Sequence, residues 1–296
     1  MEGKLIAPAL TLVTSVYRSG RTLRRFNKHM MGCARAFDAA GETLQLVVVA
    51  NDASLVERFW IKRLRRWASV QPGICVDVTW VNRETLYASW NRGVGLASSD
   101  CIGFWNCDDV RSPLALLEGL DRVRGGADVF YSPWLEFTPH PKTPLFSPPS
   151  FGFAPLAEFD RDEFRRSMCA GPFFLMSRKA WNHVGEFDPQ FYVVGDFDWC
   201  ARAAEDLVFV RGDTLGGVYY RHGRTLSGRG NSRHFAENNI VYLRSGAYDK
   251  IEMHFAEETS RYCIDLPWRK YPVPASVLET IMGASDRKHT GARGPA

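Results

Sequence analysis

Cysteine pairs spaced for metal or disulfide chemistry are missing from this chain. Its seven cysteines, Cys33, Cys75, Cys101, Cys107, Cys169, Cys200 and Cys263, are odd in number, scattered and never spaced as CxxC. That argues against a zinc site or a disulfide framework and for a reducing compartment. Long apolar runs are also absent, and no stretch approaches the ~20 residues of a membrane-spanning helix. The opening residues, Met1-Glu2-Gly3-Lys4, lack the apolar core of a secretion signal, so a cytoplasmic protein is expected. Charge of one sign is scarce: 37 Lys and Arg against 33 Asp and Glu leave a net +4, too little by itself to imply a nucleic-acid partner. No internal repeat is visible. No GxGxxG follows the first strand-like run, which disfavours an NAD-binding dehydrogenase.

The most informative stretch that is present is Cys101-Ile102-Gly103-Phe104-Trp105-Asn106-Cys107-Asp108-Asp109. Ile102 to Trp105 reads as a short buried strand that stops at Asn106, Asp108 and Asp109, before Pro113 opens a helical pattern. Carboxylates on the loop after a central strand stand where open α/β sheets bind ligands. Two adjacent carboxylates and an amide oxygen suit a hard divalent cation that carries phosphates. The competing role is a solvated turn in which Asp108 or Asp109 caps the helix.

Upstream, Ala9 to Val16 and Leu44 to Ala50 are apolar runs expected as buried strands. A helix between them carries Leu23, Phe26, Met30, Cys33 and Phe37 at helical spacing. The second run ends at Asn51-Asp52-Ala53-Ser54, where an acid often meets the nucleoside and where Asp52 or Ser54 would equally cap a helix beginning near Leu55. That helix sets Arg58, Lys62, Arg63, Arg65 and Arg66 beside Phe59, Trp60, Leu64 and Trp67. Such a face suits contact with an anionic membrane surface, but is more often simply solvated. Val76 to Val81 reads as a third strand and Ser89 to Ala97 as a helix. Strands alternating with helices predict a doubly wound, mostly parallel sheet.

Downstream, a helix over Ser112 to Val123 and a strand over Asp128 to Tyr131 precede residues 132–160, where Pro133, Pro139, Pro141, Pro144, Pro148, Pro149 and Pro155 sit among aromatics such as Trp134. This segment reads as a loop without regular structure that shapes a binding surface. Asp196 and Asp198 straddle the start of a further helix, whose dipole favours their ionised forms. Tyr219 to Gly223 closes a strand, and Arg224 to Arg233 is a basic, glycine- and serine-bearing stretch suited to closing over phosphates. The tail, 286–296, is expected to be disordered.

In this order the motifs resemble a family 2 glycosyltransferase of the GT-A fold over roughly residues 9–245. Thr14-Ser15-Val16-Tyr17-Arg18 is similar to the family's opening strand and loop, which implies nucleotide contacts for Thr14, Ser15 and Tyr17. Asp52 matches the carboxylate that meets the base. Leu86 to Ala97 resembles the stretch before the metal motif, which puts Asn91 and Arg92 on the donor. Asn106-Cys107-Asp108-Asp109 looks like the DxD signature in a variant that begins with Asn, implying Asp108 and Asp109 as metal ligands and Asn106 as a donor contact. Gly185-Glu186-Phe187-Asp188 followed by Asp196-Phe197-Asp198 is similar to the region that supplies the base of inverting members. Gly195 replaces the acid that commonly precedes that base, which leaves Asp196 first and Asp198 second. His222 stands where such enzymes place a further metal or diphosphate contact, with Arg224, Arg229 and Arg233 following it.

The resemblance implies an α/β, Rossmann-like nucleotide-diphospho-sugar transferase domain over 1–245, with a nucleotide-binding half to about 110, an acceptor-binding half over 111–245 and a helical or irregular extension over 246–285. It implies a metal-dependent inverting transfer of a sugar from a nucleoside-diphosphate donor, a UDP-sugar slightly favoured, to a hydroxyl of a glycan, lipid-linked sugar or small molecule. Mn²⁺ or Mg²⁺ would be the cofactor, with an imidazole ligand tilting the choice towards Mn²⁺. A peripheral seat at the inner face of the membrane fits the basic helix. Two rival readings are a nucleotidyltransferase, for which Tyr17-Arg18-Ser19-Gly20 is a poor phosphate loop, and a non-catalytic nucleotide-sugar-binding protein, which Asn106 and Gly195 would motivate.

Overall fold

The computed structural model describes residues 7–138, 150–154, 156–221, 232–262, 275–277 and 279. Strand β1 (Leu10–Val16), helix α1 (Leu23–Ala39) and strand β2 (Leu44–Asn51) open the chain, followed by α2 (Leu55–Ala68), β3 (Ile74–Val81), α3 (Leu86–Gly95) and β4 (Cys101–Phe104). The short β5 (Val110–Arg111) leads into α4 (Pro113–Arg124), β6 (Val129–Tyr131), β7 (Trp134–Thr138) and β8 (Ser150–Ala154). Then come α5 (Arg161–Arg166), β9 (Leu175–Ser177), α6 (Arg178–Val184), α7 (Gly195–Ala203), β10 (Phe209–Arg211), β11 (Gly217–Tyr220), α8 (Ser232–Ser245) and α9 (Ala256–Arg261).

The main sheet has the order β10-β6-β9-β4-β1-β2-β3, parallel throughout except for β9, which runs antiparallel to both of its neighbours. Its central strands are buried on both faces. Leu10, Leu12, Leu44, Leu46 and Cys101 join one apolar layer under α1, α2 and α4, while Val13, Val47, Ile102 and Phe104 join the other under α3, α6 and α7. Two-sided burial explains why β1 and β2 are rich in apolar and β-branched residues, with Thr11, Thr14 and Gln45 buried among them. The expected doubly wound, mostly parallel sheet flanked by helices is the observed one.

Helix starts follow from local capping. Ser54 and Glu57 form a reciprocal capping box on α2. Thr85 caps α3, which therefore begins three residues before the Ser89 suggested by sequence. Ser112 caps α4 with Pro113 in its first turn, so neither Asp108 nor Asp109 is needed as a cap. Gly93 lets α3 ride close on β1, since a Cβ there would stand 2.2 Å from Val13 Cγ1.

The 132–160 segment departs from expectation. It contributes two strands, β7 and β8, to a second sheet ordered β5-β11-β7-β8. Neither Trp134–Thr138 nor Ser150–Ala154 contains a proline; Pro133 and Pro155 flank the strands, and the other prolines before Pro155 lie outside the described residues. Composition averaged over the segment hid two proline-free runs. Past 245, the 3₁₀ turns Tyr248–Lys250 and Met253–Phe255 and helix α9 pack on α8, where Asn239 exchanges hydrogen bonds with the Glu252 backbone and donates to Thr259.

Candidate functional site

Strands β1, β2 and β4 lie side by side and parallel, so the loops that follow them share one edge of the sheet. The acidic loop after β4 is tied down by its own backbone. Asp109 N–H donates to the Asn106 carbonyl at 3.1 Å, and Trp105 Nε1 donates to the Asp109 carbonyl at 3.1 Å. Asp109 is buried, and its carboxylate accepts the Tyr220 N–H at 3.0 Å and the Asn106 side-chain amide. Burial, and then the charge of Asp108, push its carboxyl well above the usual range. Asn106 thus supplies a donor to Asp109 where an acid would add repulsion. This gives the departure at position 106 a structural reason and turns the Asn106 amide inward rather than towards a donor.

Asp108 is only partly buried. Its carbonyl accepts a hydrogen bond from Arg25 Nη2 at 2.5 Å, and the Arg25 guanidinium lies 3.9 Å from the centre of the Tyr220 ring. Hard oxygen donors on neighbouring residues, with a mutual repulsion that a cation would relieve, are the donor chemistry that Mn²⁺ or Mg²⁺ takes. Among the described residues no group of three or more His, Cys, Asp or Glu is placed to hold a metal. His222, Arg224 and Arg229 lie outside the described residues.

At the same edge, the start of α3 meets the start of α7. Tyr87 Oη lies 2.7 Å from the Val193 carbonyl and 3.0 Å from Asp196 Oδ1, and the Phe197 N–H also donates to that oxygen at 3.0 Å. Burial pushes the Asp196 carboxyl above its ordinary range; the Tyr87 hydroxyl and the Phe197 amide pull against the rise, and the charge of Glu237 adds to it. Gly195 packs beneath the Tyr87 ring, where a Cβ would stand 2.7 Å from Cδ2. The acid absent from position 195 is therefore excluded by an aromatic ring. From α8, buried Glu237 accepts the N–H groups of Tyr192, Val193 and Val194, bracing the turn into α7.

Asp198 is more deeply buried than Asp196. Its side chain has 0 % exposure, with Oδ1 2.7 Å from Arg244 Nη1 and Oδ2 3.1 Å from Arg202 Nε. Arg244, itself fully buried, also reaches Asp188 at 2.8 Å. This is a buried ion-pair network that joins α7 to α8, and the second candidate base, Asp198, has both carboxylate oxygens paired within it.

The residues expected to contact the nucleotide differ in their placement. Thr14 is fully buried, its hydroxyl 3.4 Å from Cys107 Sγ, so it braces the acidic loop. Ser15 is partly buried, and its carbonyl lies 3.7 Å from the same sulfur. Asn91 spends its amide on the Phe187 backbone, donating at 2.8 Å and accepting at 3.0 Å. Arg92 points to the surface, in a pair with Glu84 at 3.0 Å. Arg233 belongs to α8 and not to a loop; it pairs with Glu237 at 2.7 Å and lies over the rings of Tyr192 and Tyr262. Tyr17 does line the edge, flanked by the guanidinium groups of Arg18 and Arg83 at 5.2 and 5.4 Å from its ring centre. Asp52 is exposed at the end of β2, with φ 48°, and Arg18 after β1 has φ 52°. Two non-glycine residues are thus held in the left-handed region after neighbouring strands.

Sequence reasoning did not single out Tyr87, Glu237, Arg25 or Arg244 as functional. Only Tyr87 carried a signal, its place within the Leu86 to Ala97 segment before the acidic loop.

No protein-family model and no curated protein sequence matches the chain. Solved structures do match it in fold. The S. aureus TarS 1-349 structure in complex with UDP-GlcNAc superposes with a TM-score of 0.59 at 12% identity, covering 93% of this chain and 79% of that one. A longer S. aureus TarS structure gives 0.60 at 11% identity, over 95% of this chain and 54% of that one. The mannosyltransferase PcManGT from Pyrobaculum calidifontis, in complex with GDP-Man and Mn²⁺, gives 0.54 at 12% identity, over 98% of this chain and 78% of that one. The chain shares the GT-A type fold of these glycosyltransferases.

Proposed function

We propose that this chain is a metal-dependent, inverting glycosyltransferase that moves a sugar from a nucleoside-diphosphate donor to an acceptor hydroxyl, with Asp196 as general base. The observation that carries the reading is that carboxylates from two parts of the chain stand on the side of the parallel sheet where its strands end. One is the adjacent pair Asp108 and Asp109 at the end of a central strand. The other is Asp196, with a raised pKa and a tyrosine hydroxyl on it. The shared fold with proteins crystallised with UDP-GlcNAc and with GDP-Man and Mn²⁺ supports it.

The attacking hydroxyl must lose its proton as it bonds to the anomeric carbon. An ionised Asp196 takes that proton, a contribution typically worth ~10²–10⁴ in rate. Its raised pKa makes it a stronger base than an ordinary carboxylate and demands a higher pH to ionise it. Tyr87 has one hydroxyl proton for two acceptors; turned to the ionised carboxylate, it stabilises the charge and holds Asp196 in place. Asp108 and Asp109 would hold Mn²⁺ or Mg²⁺, which when bound supplies positive charge to the diphosphate leaving group. Arg25, bonded to the Asp108 carbonyl, fixes the acidic loop and keeps a permanent cation beside it. Tyr17 and the exposed Asp52 would hold the nucleoside, the ring by its face and the carboxylate by accepting from the base.

The test is a thermal-shift panel of UDP, GDP, dTDP and CMP, each with Mn²⁺, with Mg²⁺ and with EDTA. A nucleoside diphosphate that stabilises only with metal, an effect lost in Asp108→Asn, supports the reading and names the donor class. No shift from any of them, or a shift indifferent to metal and to Asp108→Asn, refutes it.

A further inference from the structure

Helix α2 carries charge and apolar surface that the site above leaves unused. Residues 21–70 hold ten Lys and Arg (Arg21, Arg24, Arg25, Lys28, Arg35, Arg58, Lys62, Arg63, Arg65 and Arg66) against four acids, Asp38, Glu42, Asp52 and Glu57. That local excess of six sits in a chain whose total is +4, so the remainder is slightly acidic. On α2 the only acid, Glu57, is buried and committed to the capping box and to the Ser19 N–H.

The inner face of α2 is Glu57, Ile61, Leu64 and Ala68. At about 3.6 residues per turn the opposite face carries Leu55, Phe59, Lys62, Arg63 and Arg66, with Val70 just beyond the helix. Leu55 is 85 %, Phe59 57 % and Val70 75 % exposed. The basic side chains lie exposed among them. Trp80, on edge strand β3, continues the patch, with the Arg58 guanidinium 4.9 Å from its ring. A merely solvated helix would put polar groups at its outermost positions; this one interleaves large apolar side chains with cations and exposes no acid.

We propose that this face of α2 docks on an anionic lipid bilayer, with Leu55, Phe59, Val70 and Trp80 entering the headgroup boundary and Lys62, Arg63 and Arg66 meeting lipid phosphates. The charge selects this occupant over a second copy of the chain, because two such basic faces repel. The docking end of α2 begins three residues after Asp52, beside the loops that follow β1, β2 and β4, so a docked molecule presents those loops next to the membrane. This surface needs no turnover to act, so it stands or falls independently of the transferase reading.

The test is co-sedimentation of the full chain with vesicles of phosphatidylcholine alone and of phosphatidylcholine with phosphatidylglycerol, across a salt series. Binding is expected only with the anionic lipid and to weaken as salt rises. Each basic residue near such a surface is worth roughly fivefold in partitioning, so K62E/R66E should lose at least about tenfold. F59S should reduce binding even at low salt. All these side chains are exposed, so the variants should melt with the wild type, which a thermal scan checks. Equal binding to both vesicle types, no binding to either, or a concentration-dependent dimer broken by F59S would each overturn the proposal.

Discussion

The ring of Tyr87 occupies the space that a side chain at position 195 would need, and its hydroxyl lies 3.0 Å from Asp196 Oδ1. One residue on α3 thus explains a glycine on α7 and conditions the carboxylate beside it. Removing that hydroxyl, which pulls the Asp196 pKa down, should leave it higher still. Because the base works ionised, activity is present above its pKa and lost as pH falls through it. Tyr87→Phe should therefore move the acid limb of the pH profile of kcat to higher pH, with the donor KM little changed. A lower rate with an unmoved limb would reduce Tyr87 to a packing residue.

Arg244 is the buried hub between Asp198 and Asp188. Truncating one partner of such a network strands the others without compensation, typically at a cost of about 3–5 kcal/mol. Arg244→Ala should lower the denaturation midpoint by a corresponding amount, with little change in the denaturant slope. An unchanged midpoint would contradict a structural role for Asp198.

Asp52, exposed at the end of β2, is the carboxylate proposed to meet the base. A hydrogen bond to a charged group is worth about 1.5–3 kcal/mol, so Asp52→Ala should weaken nucleoside diphosphate binding at least roughly tenfold while the metal requirement persists. Calorimetric titration with and without EDTA separates the two. Equal affinity in the variant would move the base elsewhere.

How far the sequence carried depended on whether a signal was local. The largely apolar, β-branched runs of β1 and β2 were visible because burial on both faces leaves a one-dimensional trace, and the acids closing β4 stood out at its end. Helix α7 was legible at its start, where Asp196 and Asp198 stand. Their different fates were not, since the burial of Asp198 depends on Arg244, 46 residues away. The pairing of Asn91 was hidden for the same reason: its partner, the Phe187 backbone, is distant in sequence and close only in the fold. The strands β7 and β8 were hidden by the prolines around them, and the three residues of β9 carry no sign that it runs antiparallel.

The most direct measurement follows nucleoside diphosphate release from UDP-GlcNAc and GDP-Man, with Mn²⁺ and an acceptor hydroxyl present, in the wild type and in Asp196→Asn. Metal-dependent release from one of the donors is expected of the wild type. The variant should bind that donor with unchanged affinity and turn it over about 10²–10⁴-fold more slowly. Release by Asp196→Asn at the wild-type rate would contradict the base assignment, and donor binding without any release by the wild type would contradict the transfer itself.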